Sequence, residues 1–249
     1  FTITYAAVPP SATVVVPATA VEIFEDNQDF DNTGTRIGVV PLQANVTSGN
    51  GNETLTVTLS GVPAAWTVTG GGLTLQGNGD YTVTLPQGQN FNQNVTFTVP
   101  ANSDVDLSGV TLTASIVDPD FPATTNNPIT GSDVFNIIVD AVIDPLALNA
   151  NTPGGQAGNA IPLNISVSTP DTDGSETIGN IVISGVPTGW TLSAGALQGN
   201  GDWVLTTGDL TGLTVTPLAN AATQNVTLTI NTSSTENPTP DQEIRTDNN

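Results

Sequence analysis

Asp171-Thr172-Asp173-Gly174-Ser175-Glu176 sets carboxylates two and five residues apart around a glycine turn. Carboxylates spaced in this way can converge on one hard cation, and calcium accepts about six to eight such oxygens. Asp171, Asp173 and Glu176 are therefore candidate calcium ligands, against the plainer reading of a polar hairpin loop whose charges face water. A second acidic set lies at the entrance to each half of the chain: Glu22, Glu25, Asp26, Asp29 and Asp31 early on, and Asp140 and Asp144 later. Carboxylates gathered at a joint repel one another unless a cation neutralises them. Glu25, Asp26, Asp140 and Asp144 are thus further candidate ligands, whose cation would stiffen the joint. Asp118-Pro119-Asp120 and Asp104-Val105-Asp106 carry less weight.

Catalysis is poorly served. The chain has no Cys, no His and no Lys, so it offers no thiol nucleophile, imidazole base or Schiff-base amine. A carboxylate pair can cleave glycosides, but the acidic residues here sit in turns rather than in aromatic-lined surroundings. The expectation is a protein that is not an enzyme. Its formal charge is -21, from 23 acidic residues against two arginines. Such a surface repels nucleic acid and anionic membranes and favours divalent cations. Gly77-Asn78-Gly79-Asp80 and Gly199-Asn200-Gly201-Asp202 resemble phosphate loops only superficially. They precede strand patterns, so no helix N-terminus stands ready to hold an anion.

The elements that position these residues read as strands. Glu53-Thr54-Leu55-Thr56-Val57-Thr58-Leu59 alternates apolar and polar, and so do residues 80–85, 94–99, 110–114, 181–183 and 225–230. Gly, Pro, Asn and Asp clusters separate the runs, and no helical period appears. No apolar run approaches the roughly 20 residues that span a bilayer. Ser60-Gly61-Val62-Pro63, Trp66-Thr67 and residues 75–81 return as Ser184-Gly185-Val186-Pro187, Trp190-Thr191 and residues 197–203. The interval of roughly 120 residues is that of one β-sandwich domain. The predicted architecture is all-β: two tandem antiparallel sandwiches in line, over residues 20–142 and 143–249, after a donor or connecting segment over 1–19.

The first copy ends in the strand pattern Val134 to Val142, whereas the second reaches Asn249 before the matching strand is due. Phe1-Thr2-Ile3-Thr4-Tyr5-Ala6-Ala7-Val8 repeats the pattern of Phe135 to Val142. Phe1, Ile3, Tyr5 and Val8 are therefore the expected contacts of a strand that completes the second sandwich. Its source is either a neighbouring copy, giving a head-to-tail homopolymer, or covalent continuation of the repeat. An unpaired sandwich edge exposes core and unmet backbone groups, so it is costly to leave open.

Asp173-Gly174-Ser175-Glu176-Thr177, Ile183 to Gly195, Asn200-Gly201-Asp202-Trp203 and Leu210-Thr211-Gly212-Leu213, together with Pro100 to Asp106 in the first copy, resemble the tandem extender repeats of giant bacterial RTX-type adhesins. The resemblance covers most of the chain after about residue 20 and implies a secreted, calcium-stiffened cadherin- or immunoglobulin-like array at the cell surface or in a matrix. The first copy departs from the pattern, with Ser48, Asn50 and Asn52 where the second has Asp171, Asp173 and Ser175. The expected function is a structural repeat of an extracellular filament or adhesin stalk. The alternative is an adhesin module that binds a carbohydrate or other surface ligand, which would display a flat threonine or aromatic array.

Overall fold

The computed structural model describes residues 1–3, 9–25, 36–120, 128–171 and 174–236, and the backbone of 246–248. These residues form two compact units, one up to Asp140 and one from Ala141 onward. Both are built of strands. Among the described residues the helical content is one 3-10 turn, Thr207–Leu210, and no helix is long and apolar enough to cross a membrane.

One sheet of the first unit runs, in spatial order, β1 (Ser11–Val15), β3 (Ile37–Thr47), β8 (Phe91–Thr98) and β5 (Thr67–Thr69). The other runs β2 (Val21–Phe24), β10 (Ile129–Asp140), β9 (Leu107–Val117), β4 (Thr54–Ser60), β7 (Tyr81–Thr84) and β6 (Thr74–Leu75). The pairings are antiparallel except that of β2 with β10. Period-two alternation turns Leu55, Val57 and Leu59 of β4 inward and their threonines outward. Those side chains meet Val40 and Leu42 of β3, Phe97 of β8 and Leu112 of β9 in one core. The rings of Phe97 and Phe135 pack edge to face with centroids 5.9 Å apart. Ser11–Val15, given a connecting role by the sequence, pairs with β3 and rests Ala12 and Val14 on this core.

In the second unit β11 (Ala147–Asn149) pairs with β13 (Ser166–Ser168). A three-stranded sheet holds β12 (Ile161–Pro162), β19 (Thr214–Thr216) and β16 (Thr191–Leu192). Another holds β14 (Glu176–Ile178), β21 (Ser233–Glu236) and β22 (Thr246–Asn248). A four-stranded sheet runs β17 (Ala196–Leu197), β18 (Trp203–Leu205), β15 (Ile181–Ser184) and β20 (Thr229–Asn231). The strand expected over 225–230 is therefore shorter than its pattern: only its end joins a ladder, as β20.

The duplication is repeated in geometry. Gln76 N–H donates to Asp80 O at 2.7 Å, and Gln198 N–H to Asp202 O at 2.8 Å. Asn78 and Asn200 each donate a side-chain N–H to the matching aspartate, at 2.7 and 2.6 Å. Both Gly-Asn-Gly-Asp segments are thus hairpin turns. Gly61 and Gly185 share a left-handed φ of 84° and 85°, which glycine adopts without steric cost. A Cβ on Gly185 would stand 2.5 Å from the Thr227 carbonyl, so this turn demands glycine twice over.

Candidate strand-acceptor groove and carboxylate loop

In the first unit β9 is flanked on both sides, by β4 and β10. β10 seals the core with Phe135, Ile137 and Val139, all buried. Phe135 stands opposite Val110, and Ile137 opposite Leu107. The matching edge of the second unit is found from register. Ser60 faces Thr111, and its counterpart Ser184 faces Thr229. Thr111 thus corresponds to Thr229, Val110 to Leu228 and Leu107 to Asn225. The two Val-Thr-Leu-Thr stretches, 110–113 and 226–229, look equivalent in sequence but sit two residues out of step, which keeps the same residues facing inward.

Residues 223–228 have no ladder partner among the described residues. Beside them opens a cavity of about 770 Å³, lined by Leu163, Trp190, Val215, Val226, Leu228 and Ile230 among others. Val226, Leu228 and Ile230 are only half-buried, whereas Val110, Leu112 and Ala114 of β9 are fully buried. Trp190 is half-buried at the groove, while its counterpart Trp66 is buried in the first core. Val215 pairs with Leu192 as Phe97 pairs with Val68, so a valine stands where the first unit has the partner of Phe135. β22 pairs with β21 alone, Thr246 opposite Thr235 and Asn248 opposite Ser233, and so lies further along the same edge.

Of the expected strand residues, Phe1 and Ile3 are exposed, at 116% and 72%. Tyr5 and Val8 lie outside the described residues. The pattern shared with Phe135 and Ile137 is therefore fully buried in one place and bare in the other.

The carboxylates divide by copy. In the first, Glu53 is buried and accepts N–H donors from Asn50 at 2.6 Å and Gly51 at 2.9 Å. Burial works to raise its pKa, but the backbone N–H groups outweigh it and hold the carboxyl below its ordinary 4.5. Asn50 also donates to Asp120 at 2.7 Å, so amide groups satisfy this loop. In the second, Glu176 is buried and accepts the Thr169 hydroxyl on Oε2, while its buried Oε1 has no hydrogen-bond partner among the described residues. Asp171 uses Oδ2 to accept the N–H groups of Gly174 and Glu176, each at 3.1 Å. Glu236, which no motif singled out, is buried directly across the β14–β21 ladder from Glu176. Only strand pairing could have revealed it. Asp173 lies outside the described residues.

Of the joint set, Glu25 is buried and donates its N–H to the Asp140 carbonyl at 3.0 Å. Asp144 is buried in the second unit, and Asp26 lies outside the described residues. Among the described residues no three acidic side chains converge on a common point. The site thus consists of a groove of mixed apolar and polar lining beside residues 223–228 and a loop in which, among the described residues, one buried carboxylate oxygen is unmatched.

No family model and no curated protein matches this chain. Among solved structures it is similar to the Yersinia pseudotuberculosis adhesin InvE, at 17% identity and a TM-score of 0.23, over 95% of this chain and 57% of that one. The chain thus spans little more than half the length of that adhesin.

Proposed function

We propose that this chain is a structural repeat of an extracellular bacterial filament or adhesin stalk. Two immunoglobulin- or cadherin-like sandwiches in tandem form the repeat, which joins its neighbours head to tail by β-strand complementation. The carrying observation is the groove beside 223–228, at the place where the first unit receives its final strand. A groove lined in part by Leu163, Trp190, Val215 and Leu228, next to backbone without a ladder partner among the described residues, favours an incoming strand, because that strand supplies both buried area and ladder hydrogen bonds.

Calcium stiffens the repeat in this reading. Asp171, Asp173 and Glu176 hold it, an all-oxygen donor set suited to a hard cation. The buried Oε1 of Glu176, without a partner among the described residues, supports such a site, since a buried carboxylate oxygen needs a donor or a cation. Glu25, Asp26, Asp140 and Asp144 form a second candidate set. The chain performs no catalysis in this account, and its partner is another copy of itself.

Electron microscopy of the purified protein, with and without a calcium chelator, tests the proposal. Filaments are expected, and boiling in denaturant should return them to the 25.4 kDa chain. Particles that stay monomeric at every concentration would refute it.

A further inference from the structure

We infer that the groove of the second unit receives residues 1–8 of another copy in one defined register, with Phe1 opposite Leu228 and Thr2 opposite Thr227. This rests on the head-to-tail reading and fixes what that reading leaves open, namely the acceptor residues and their alignment.

The register follows from the first unit. There Phe135 faces Val110 and Ile137 faces Leu107 with a register shift between them, and at that shift the Asn136 side chain accepts the Gly109 N–H at 2.9 Å. The pairing of Ser184 with Thr229 carries Val110 onto Leu228 and Gly109 onto Thr227. The pattern shared by Phe1-Thr2-Ile3 and Phe135-Asn136-Ile137 carries Phe1 to Leu228 and Thr2 to Thr227. A one-residue slip would turn Phe1 and Ile3 to solvent and both threonines into the groove, so alternation forbids it.

Three further features agree with this alignment. The cavity is lined by Asn225, Val226, Thr227 and Leu228, the stretch that the incoming strand would cover. Val215, smaller than the Phe97 it replaces, leaves room beside Trp190 for the ring of Phe1. β22 holds Ser233–Thr235 of the same edge, so an antiparallel strand starting at Leu228 and running toward Thr223 does not collide with it. The segment is also free of Asp and Glu in a chain that carries 23 of them, which removes a charge cost from its burial.

The chain has no cysteine, so a disulfide trap reports register without background. Thr2 and Thr227 take the places of Asn136 and Gly109, which meet at the register shift within hydrogen-bond distance, so cysteines there come within reach of a disulfide. Thr2 and Thr227 are exposed and outside the core. Under mild oxidation the full chain with Thr2→Cys and Thr227→Cys should yield a ladder of covalent multimers on a non-reducing gel. The offset control, Thr2→Cys with Thr229→Cys, should yield little. Equal cross-linking in both variants, or none in the first while filaments still form, would overturn the groove and its register but leave assembly standing. Cross-linked multimers without filaments in the microscope would uphold the groove and remove the filament.

Discussion

Glu53 and Glu176 occupy the same place in the two copies and solve opposite problems. The Glu53 carboxylate is met by N–H groups from Asn50 and Gly51, and its pKa is held below the ordinary 4.5. A group whose folded pKa is depressed adds stability that is fully present above the unfolded value and is lost as pH falls through the folded one. Glu53→Gln puts an amide N–H against a backbone donor, and should cost the first unit about 1.5–3 kcal/mol at neutral pH. Urea unfolding of variant and parent should converge as pH falls through the depressed pKa of Glu53, and a gap that persists in acid would contradict the assignment. Among the described residues Glu176 has no such donor on Oε1. Calcium is expected to raise the melting temperature of the second unit, and Glu176→Gln to abolish most of that rise in differential scanning calorimetry.

At the scale of elements, the contrast lies between β9 and its counterpart. β9 is an unbroken strand of 11 residues because β4 and β10 satisfy both of its edges. Its counterpart enters a ladder only at Thr229–Asn231 and Ser233–Glu236. A strand gains regular backbone hydrogen bonds only where a neighbour supplies them, so residues 223–228 keep the alternation but not the strand. Phe135 closes the first core against Phe97. Phe135→Ala should therefore cost that unit about 3–5 kcal/mol by opening a cavity, as read from chemical denaturation. In the second unit Trp190 reports the same event in reverse. Adding the synthetic octapeptide of residues 1–8 to the Ile3→Asp chain, a weakened donor, should shift tryptophan emission to shorter wavelength. Trp190→Phe should lose that shift, since Trp66 and Trp203 are already buried.

For the whole molecule, the two units differ in how complete their cores are. Among the described residues 23 buried apolar side chains form the first core and 10 the second, so the second unit is the weaker. Two thermal transitions are expected. Anything that fills the groove should raise the lower one alone, because a ligand stabilises only the unit that binds it. The charge of -21 acts on assembly from a distance. Like-charged copies repel, and salt screens the repulsion over about 8–10 Å at physiological strength. Polymerisation followed by light scattering should accelerate between low and moderate salt. A rate that falls instead would mean that attraction between charges drives the encounter.

Much of this was legible in the residues. Alternation with turn punctuation gave an all-β chain, since side-chain period is a local property of the backbone. The repeated Gly-Asn-Gly-Asp turns were equally plain, because each hairpin is closed by bonds within a few residues. The shared pattern of Phe1–Val8 and Phe135–Val142 was visible too, as was the acid-rich loop ending in Glu176. Strand register was not. The matching Val-Thr-Leu-Thr stretches suggest one alignment of the copies, and the ladders impose another two residues away. Nor could the chain reveal that Glu236 faces Glu176, or that Trp190 lines a cavity while Trp66 is buried. Which residues stand opposite one another depends on pairing between segments dozens of residues apart, which local pattern does not specify. The sequence determined which side chains turn inward, and the tertiary structure decided what they meet there.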